Sequence, residues 1–147
     1  LFTDFQGFTK IAEQLTPQEL VEELNECFSA FDMIINKYKL EKIKTIGDSY
    51  MCASGLPTKM SDNSLEMVKA ALEIRDYMLA HHEERISQGH KSWKLRIGVH
   101  TGPVVSGVVE KTSLPTIFGG ILSIQLAEWR QVVLLEKSIF QEPPASR

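Results

Sequence analysis

Two aspartates stand where folding could bring their carboxylates together. Asp4 ends a short apolar segment at the N-terminus, and Asp48 follows Gly47 between two apolar-rich segments, residues 41–46 and 49–54. A Gly-Asp pair between such segments predicts the turn of a β-hairpin, because glycine tolerates the positive φ of tight turns. Asp48 is then either a turn former only, or one of two carboxylates that hold a pair of divalent cations.

A second chemical feature follows the first aspartate directly. Gly7 lies within the segment Phe5–Thr9 and permits a tight turn whose backbone amides could face an anion. A carboxylate at a strand end beside such amides suits a metal–phosphate complex. The alternative is an aspartate that caps a turn.

Apolar periodicity predicts two long helices around these residues. Thr16 as N-cap, Pro17 at the first helical position and Glu19 closing a capping box begin the first, which runs to about Lys39. Its apolar stripe is Leu20, Leu24, Phe28, Phe31, Ile35 and Tyr38. The second is predicted from about Asp62 to His82. Its apolar face is Met67, Ala71, Ile74 and Met78, widened by Val68 and Leu72.

The segment that follows the second helix is polar. We expect residues 81–89 to form an exposed helix end and loop. His81, His82 and His90 are conceivable metal ligands, but no accompanying cysteine or carboxylate arrangement is evident, which favours solvent exposure.

Strand patterns at Trp93–His100 and at residues 104–109 complete the order β-α-β-β-α-β, followed by a further strand. This order predicts an α+β, ferredoxin-like fold: an antiparallel sheet with helices on one face. Residues 1–5 and 41–54 are expected to be central, which places Asp4 and Asp48 at adjacent strand ends.

Size and composition fit a soluble domain. The chain has 147 residues, 43% hydrophobic and 24% charged, with a net charge of -3, which gives no support to nucleic-acid binding. No apolar run reaches membrane-span length, and the N-terminus lacks a signal-peptide pattern. Cys27 and Cys52 lie in apolar patterns and are expected to be reduced core residues of a cytosolic domain. The abrupt start predicts a fragment.

Three motifs give the chain a recognisable relationship. They are LFTDFQGFT at residues 1–9, EKIKTIGDSY at 41–50 and RIGVHTGPVV at 96–105, and they closely resemble the class III nucleotidyl cyclases in sequence and order. The resemblance covers about residues 1–109. It implies an adenylate cyclase catalytic domain, a lyase that forms 3′,5′-cyclic AMP and pyrophosphate in intracellular signal transduction.

The resemblance assigns roles to matching positions. Asp4 and Asp48 resemble the two metal-binding aspartates, with the Phe5 carbonyl as a further ligand for two Mg²⁺ or Mn²⁺ ions. In the family, one metal lowers the pKa of the ribose 3′-hydroxyl, which attacks the α-phosphorus in line, and the second holds the triphosphate.

Substrate contacts follow in the same way. Gly7, Phe8 and Thr9 resemble the turn that receives the triphosphate through backbone amides. Arg96 matches a phosphate-contacting position, although its strand setting also allows a structural ion pair. Lys44 stands where adenylyl cyclases place a lysine that reads adenine and guanylyl cyclases usually place glutamate. Unless Lys44 is merely a surface-strand residue, the substrate is ATP in preference to GTP.

Family members act as dimers with active sites at the interface. We therefore expect a homodimer in which Asp4 and Asp48 of one subunit meet Lys44 of the other. The domain is expected to be cytoplasmic, with any membrane attachment made through segments absent from this chain.

The C-terminal part is atypical. Residues 110–147 lack the family segment that supplies an adenine-reading Asp and the Asn and Arg that stabilise the transition state. Shifting the reading frame, with permitted codon choices, converts residues 110–112 to G-K-N, 116–124 to Y-D-I-W-G-D-T-V-N and 126–130 to A-S-R-M-E. We hypothesise a single-base frameshift near Val109, a genuine one or a sequencing error. It leaves a cyclase domain at 1–109 and a partly disordered tail that impairs activity.

Two other functions remain open. The first is a non-catalytic, cyclase-like module that binds nucleotide and dimerises, and the second is a guanylate cyclase. Diguanylate cyclases and polymerase palms share the fold logic, but their motifs do not match.

Overall fold

The computed structural model describes residues 1–57, 61–102, 105–107 and 116–118. Its elements in chain order are β1 Phe2–Gln6, α1 Phe8–Ala12, α2 Pro17–Lys37, β2 Glu41–Ile46, β3 Ser49–Ala53, α3 Asn63–Ser87, β4 Lys94–Gly98, β5 Val105–Gly107 and β6 Thr116–Phe118. The first seven belong to a compact unit, residues 1–101, and the last two to a second unit, residues 102–147.

The four strands of the first unit form one antiparallel sheet in the order β2-β3-β1-β4. Because β3 lies between β1 and β2, this is the split βαβ arrangement of a ferredoxin-like fold, as predicted. β1 and β3 are central, also as predicted. Placing residues 41–46 at the centre is wrong, because β3 folds back into the position beside β1 and leaves β2 at the sheet edge.

α2 begins as the sequence predicts. The Glu19 amide donates to Thr16 Oγ1 at 3.3 Å and the Thr16 amide donates to Glu19 Oε2 at 2.8 Å, which completes the capping box. The helix ends at Lys37, and its buried face includes Cys27, Phe31 and Ile35.

α3 differs from expectation in two respects. It continues to Ser87, so the predicted loop after His82 is helix instead. Val68 and Leu72 do not widen the buried face, since they are 45% and 41% exposed. The residues that α3 buries are Met67, Ala70, Ala71, Ile74, Met78 and His81. This narrow stripe is sufficient because the sheet and α2 cover only one side of the helix.

Both long helices and the sheet share one core. Aromatic rings occupy its centre, where the Phe5 ring stacks on Trp93 at 5.1 Å and the Phe31 ring meets Tyr50 edge-on at 5.5 Å. Cys27 and Cys52 are buried and free, which confirms their prediction as reduced core residues. Among the residues described, no helix is both long enough and apolar enough to span a membrane.

The second unit contains one described feature, the antiparallel pair of β5 and β6. β5 covers part of the strand predicted at residues 104–109. The remainder of the 110–147 tail, β6 excepted, lies outside the described residues, and so does the proposed boundary at Val109.

Candidate active site

Asp4 and Asp48 are brought together across the sheet. Asp4 lies in β1, and the β2–β3 turn places Asp48 Oδ2 3.3 Å from the backbone N–H of Phe5, which donates to it. Burial first, and then a hydrogen bond and charge from the Asp4 carboxyl, raise the pKa of Asp48. The two carboxyl groups are therefore direct neighbours where the β2–β3 turn meets β1, although Asp4 lies in the middle of its strand and not at the predicted strand end.

Local sequence explains how the turn holds Asp48 there. Gly47 adopts a φ of 59°, the left-handed conformation that the Gly-Asp pair predicts. Tyr50 pairs with Thr3 in register, and both side chains are buried, which anchors β3 beside β1. The turn position follows from this register, since Asp48 lies two residues before Tyr50 and Phe5 two residues after Thr3.

Arg96 lies opposite Asp4 in the β1–β4 register, and its guanidinium forms an ion pair with the Asp4 carboxylate. The structure thus realises the ion pair that the sequence allows for Arg96. Its side chain remains 39% exposed, so part of the guanidinium faces solvent beside the two carboxylates.

A β-bulge decides which way Lys44 faces. The β2–β3 register shifts between Lys42 and Lys44, so that Lys42 lies opposite Cys52 while Lys44 lies opposite Met51. Met51 also pairs with Phe2, and alternation along β1 puts Phe2 on the same face as Asp4. The bulge therefore turns Lys44 to the sheet face that carries Asp4, whereas Lys42 turns to the helix side and pairs with Asp32 of α2 at 2.7 Å.

The segment after β1 forms a tight turn into a short helix. Gly7 adopts a φ of 71° and caps α1, and its carbonyl accepts from the Lys10 amide at 3.1 Å and the Ile11 amide at 3.3 Å. The first amides of a helix have no acceptor within it, which leaves those of Phe8 and Thr9 suited to an external anion. The Phe8 ring packs 5.5 Å from Trp93, so only its backbone is suited to a ligand.

The histidine prediction is correct for one residue and wrong for another. His90 is exposed and His82 is half-buried, but His81 is buried at 6% exposure between α2 and α3. Its Nε2 lies 3.8 Å from Glu23 Oε1, and Cys27 is close by, so a cysteine and carboxylate arrangement does exist. The sequence carried a signal for this, because His81 continues the three- and four-residue spacing of the buried stripe of α3.

Comparison with known proteins places the chain in a family. The family described as "Adenylate and Guanylate cyclase catalytic domain" matches residues 1–122, beyond the 109 residues over which the motifs are evident. Human guanylyl cyclase C is 42% identical over 109 residues, which cover 74% of this chain and 10% of the human protein. The chain spans between 7% and 10% of the length of such curated relatives.

Solved structures agree. The catalytic core of a rhodopsin-guanylyl cyclase with converted specificity, in complex with ATPαS, matches with a TM-score of 0.70 and 27% identity, over 83% of this chain and 65% of that one. The adenylyl cyclase CyaB from P. aeruginosa matches with a TM-score of 0.73 and 25% identity, over 93% of this chain and 69% of that one. The chain belongs to the adenylate and guanylate cyclase catalytic domain family.

Proposed function

We propose that this domain, in its natural frame, converts ATP to 3′,5′-cyclic AMP and pyrophosphate for intracellular signalling. The observation that carries the proposal is the pairing of the Asp4 and Asp48 carboxyl groups beside the β2–β3 turn, where the Phe5 amide holds Asp48 in place. Such a pair supplies the hard oxygen ligands that Mg²⁺ and Mn²⁺ prefer.

The acidic pair fits divalent cations for a physical reason. Burial and the Asp4 carboxyl both disfavour ionisation of Asp48, and a bound cation would remove that penalty. Asp4, Asp48 and the Phe5 carbonyl would hold two Mg²⁺ or Mn²⁺ ions. When bound, these ions supply Lewis-acid chemistry, acidifying the ribose 3′-hydroxyl and neutralising the triphosphate. This domain's own residues contribute position and charge.

The triphosphate lies against the turn after β1 in this proposal. The backbone N–H groups of Gly7, Phe8 and Thr9 donate to the phosphate oxygens. The positive φ of Gly7 forms the turn that leaves these N–H groups accessible. Arg96 neutralises phosphate charge from the neighbouring strand while it remains paired with Asp4.

Lys44 selects the purine. Its ammonium can only donate, which suits an acceptor nitrogen of adenine and not the N–H groups on guanine. GTP is the second candidate substrate, because curated relatives such as human guanylyl cyclase C are named for it. The active form is a homodimer, with Lys44 of one subunit reading the base beside Asp4 and Asp48 of the other. The domain works in the cytoplasm, and membrane attachment depends on other segments.

The tail bears on activity. If residues 110–147 are read out of frame, the chain keeps the acidic pair and loses the groups that stabilise the transition state. Loss of one such group typically costs about 10²–10³ in kcat. Sequencing the coding DNA around Val109 tests this directly: codons that cannot spell the family motif in the shifted frame refute the frameshift.

Cyclase assays on this chain and on a frame-restored version test the function. With Mn²⁺ and ATP, the restored chain should form cyclic AMP at least about 100-fold faster than the present one. Preferential cyclic GMP formation would select the second candidate. Nucleotide binding by both chains with turnover by neither would instead indicate a non-catalytic module.

Lys44→Glu in the restored chain should move the preference from ATP toward GTP by about 10-fold or more, since a misplaced donor or acceptor leaves a buried polar group unpaired. Lys42→Glu is the matched control: it changes the same charge on the same strand, but on the helix side of the sheet. An equal effect of both variants would contradict base reading by Lys44.

A further inference from the structure

Outside the acidic pair, α2 and α3 enclose a second set of ligand-bearing side chains. Glu23 and Cys27 lie one turn apart on α2, and His81 faces them from α3. One ligand atom of each lies within 4.8 Å of the other two, and all three residues are buried. A tetrahedral ion with bonds of about 2.0–2.3 Å separates its ligand atoms by roughly 3.3–3.8 Å. The spacing is therefore close to that of a coordinated set.

Three polar atoms of this set have no hydrogen-bond partner among the residues that the structure describes. Within the described part of the chain, neither ring nitrogen of His81 has a hydrogen-bond partner, and neither does Glu23 Oε1. His81 is 6% exposed and Glu23 is 4% exposed, so water does not compensate freely. Buried polar atoms without partners are costly, so these three atoms gain from a ligand that can contact them.

Neighbouring groups hold the set in this arrangement. Arg85 forms an ion pair with Glu23 Oε2 at 2.6 Å, and Oε1 is the oxygen nearer to His81. The Tyr77 ring stacks on His81 at 5.7 Å and fixes the imidazole plane. Glu26, a further α2 carboxylate, lies 3.6 Å from His81 Nε2. An oriented carboxylate and a fixed imidazole are the usual supports of a metal site.

We propose that Glu23, Cys27 and His81 bind one Zn²⁺ ion between α2 and α3. Thiolate, imidazole and carboxylate together form a ligand set that zinc favours and Mg²⁺ does not. Glu26 or a water molecule completes the tetrahedron. On binding, the Cys27 thiol releases its proton to solvent and its sulfur donates to the ion, while His81 binds in its neutral form. The thiolate and the Glu23 carboxylate balance the two charges of the ion.

This site is separate from the proposed cyclase chemistry. Its ligands lie on the two helices that cover the sheet, whereas Asp4 and Lys44 share the opposite sheet face. The zinc ion would join α2 to α3 in a structural role. The competing explanation is a metal-free cluster, in which His81 contacts Glu23 and Glu26 and no ion is bound.

Co²⁺ titration of the full, reduced chain tests the proposal, with Mg²⁺ in excess to occupy the acidic pair. We expect one equivalent of Co²⁺ to bind with a thiolate-to-cobalt charge-transfer band in the near ultraviolet, and Zn²⁺ to displace it. A Zn²⁺ concentration of about 100 times Kd should raise Tm by roughly 5–15 °C.

Variants locate the ligands. Cys27→Ser and His81→Asn should lose the band and the Tm shift, whereas the matched variants Cys52→Ser and His82→Asn should keep both. Far-UV circular dichroism checks that each variant is folded. Asp48→Asn should also retain the band, so failure of the cyclase proposal and failure of this one are distinguishable.

Two outcomes would overturn the site. One is the absence of the charge-transfer band in the unsubstituted chain, which would favour the metal-free cluster and needs no variant to fold. The other is a band or Zn²⁺-induced Tm shift that persists in Cys27→Ser, because the ion would then be bound elsewhere.

Discussion

Asp48 occupies a position that costs the metal-free protein stability. Burial and the adjacent Asp4 carboxyl raise the pKa of Asp48 in the folded state. The native state therefore binds a proton at Asp48 more tightly than the unfolded state does. Protonation of Asp48 therefore contributes to the free energy of unfolding. This contribution is fully present below the pKa that Asp48 has in the unfolded chain, and it is lost as the pH rises through its higher pKa in the folded protein. A carboxylate kept under this penalty is typical of a site that gains a cation in its working state.

Asp48→Asn should consequently stabilise the metal-free chain at pH 7. The amide oxygen can still accept from the Phe5 N–H, while the repulsion with Asp4 disappears. Urea unfolding in EDTA measures the difference in the free energy of unfolding between the two chains. This difference should vanish below about pH 3.9, where the Asp48 carboxyl is protonated and is as neutral as the amide that replaces it. At pH 7, adding Mg²⁺ should stabilise the unsubstituted chain and not Asp48→Asn.

The control for this prediction is Asp76→Asn, which removes a more exposed carboxylate and should change the free energy of unfolding by no more than about 0.5 kcal/mol. A lower stability of Asp48→Asn at pH 7 without metal would show that the carboxylate stabilises the fold instead.

Two turns that flank helices of the first unit depend on glycines in the left-handed conformation. Gly7 and Gly89 both adopt positive φ, 71° and 78°, and at each an added Cβ would meet nothing within 4 Å. Only the backbone conformation therefore restricts these positions. Gly7 begins α1 beside the acidic pair, whereas Gly89 follows α3.

Gly7→Ala and Gly89→Ala form a matched pair on this basis. Each should lower the free energy of unfolding by about 1–2 kcal/mol, the cost of a left-handed alanine. Only Gly7→Ala should also weaken binding of ATP to the frame-restored chain, because its strain is relieved by moving the Phe8 and Thr9 amides. Urea unfolding and nucleotide titration measure the two effects. Equal loss of ATP affinity in both variants would argue against the turn as a triphosphate site.

Among the residues whose side chains the structure describes, the large buried ones lie in the first unit. The core cluster runs from Leu1 to Trp93, and its partly buried neighbours extend only to Val99. Every strand of the four-stranded sheet also lies within residues 1–101. The core described for this unit is built from residues of the unit itself.

A chain that ends at Thr101 should therefore unfold in a single cooperative transition. We expect a free energy of unfolding on the order of 5 kcal/mol, ordinary for a domain of this size. Trp93 is the one tryptophan in this fragment and is buried, so its fluorescence reports on the core. Fluorescence and far-UV circular dichroism should give coincident urea transitions. Separate transitions would mean that the tail is needed for the fold. The variant Ile74→Val calibrates the assay, because it should lower the free energy of unfolding by about 0.5–1.5 kcal/mol.

The sequence by itself determined the features that nearby residues encode. The capping box of Thr16 and Glu19, the stripe of α2 and the Gly47 turn each depend on residues a few positions apart. The capping box and the turn form as predicted, and the stripe packs against the core with only Phe31 and Ile35 fully buried. The order of the helices and strands along the chain was predicted, whereas the position of β2 at the sheet edge was not. Family membership was also evident, because three motifs occur in order.

Tertiary structure alone decided how distant residues meet. The meeting of His81 with Glu23 of α2, the bulge that turns Lys44 to the face of Asp4, and the pairing of Arg96 with Asp4 are not set by any local pattern. Each depends on the register or packing of elements far apart in the chain. A side chain's partner there is fixed by the geometry of the whole sheet and helix layer, which periodicity within one segment does not specify.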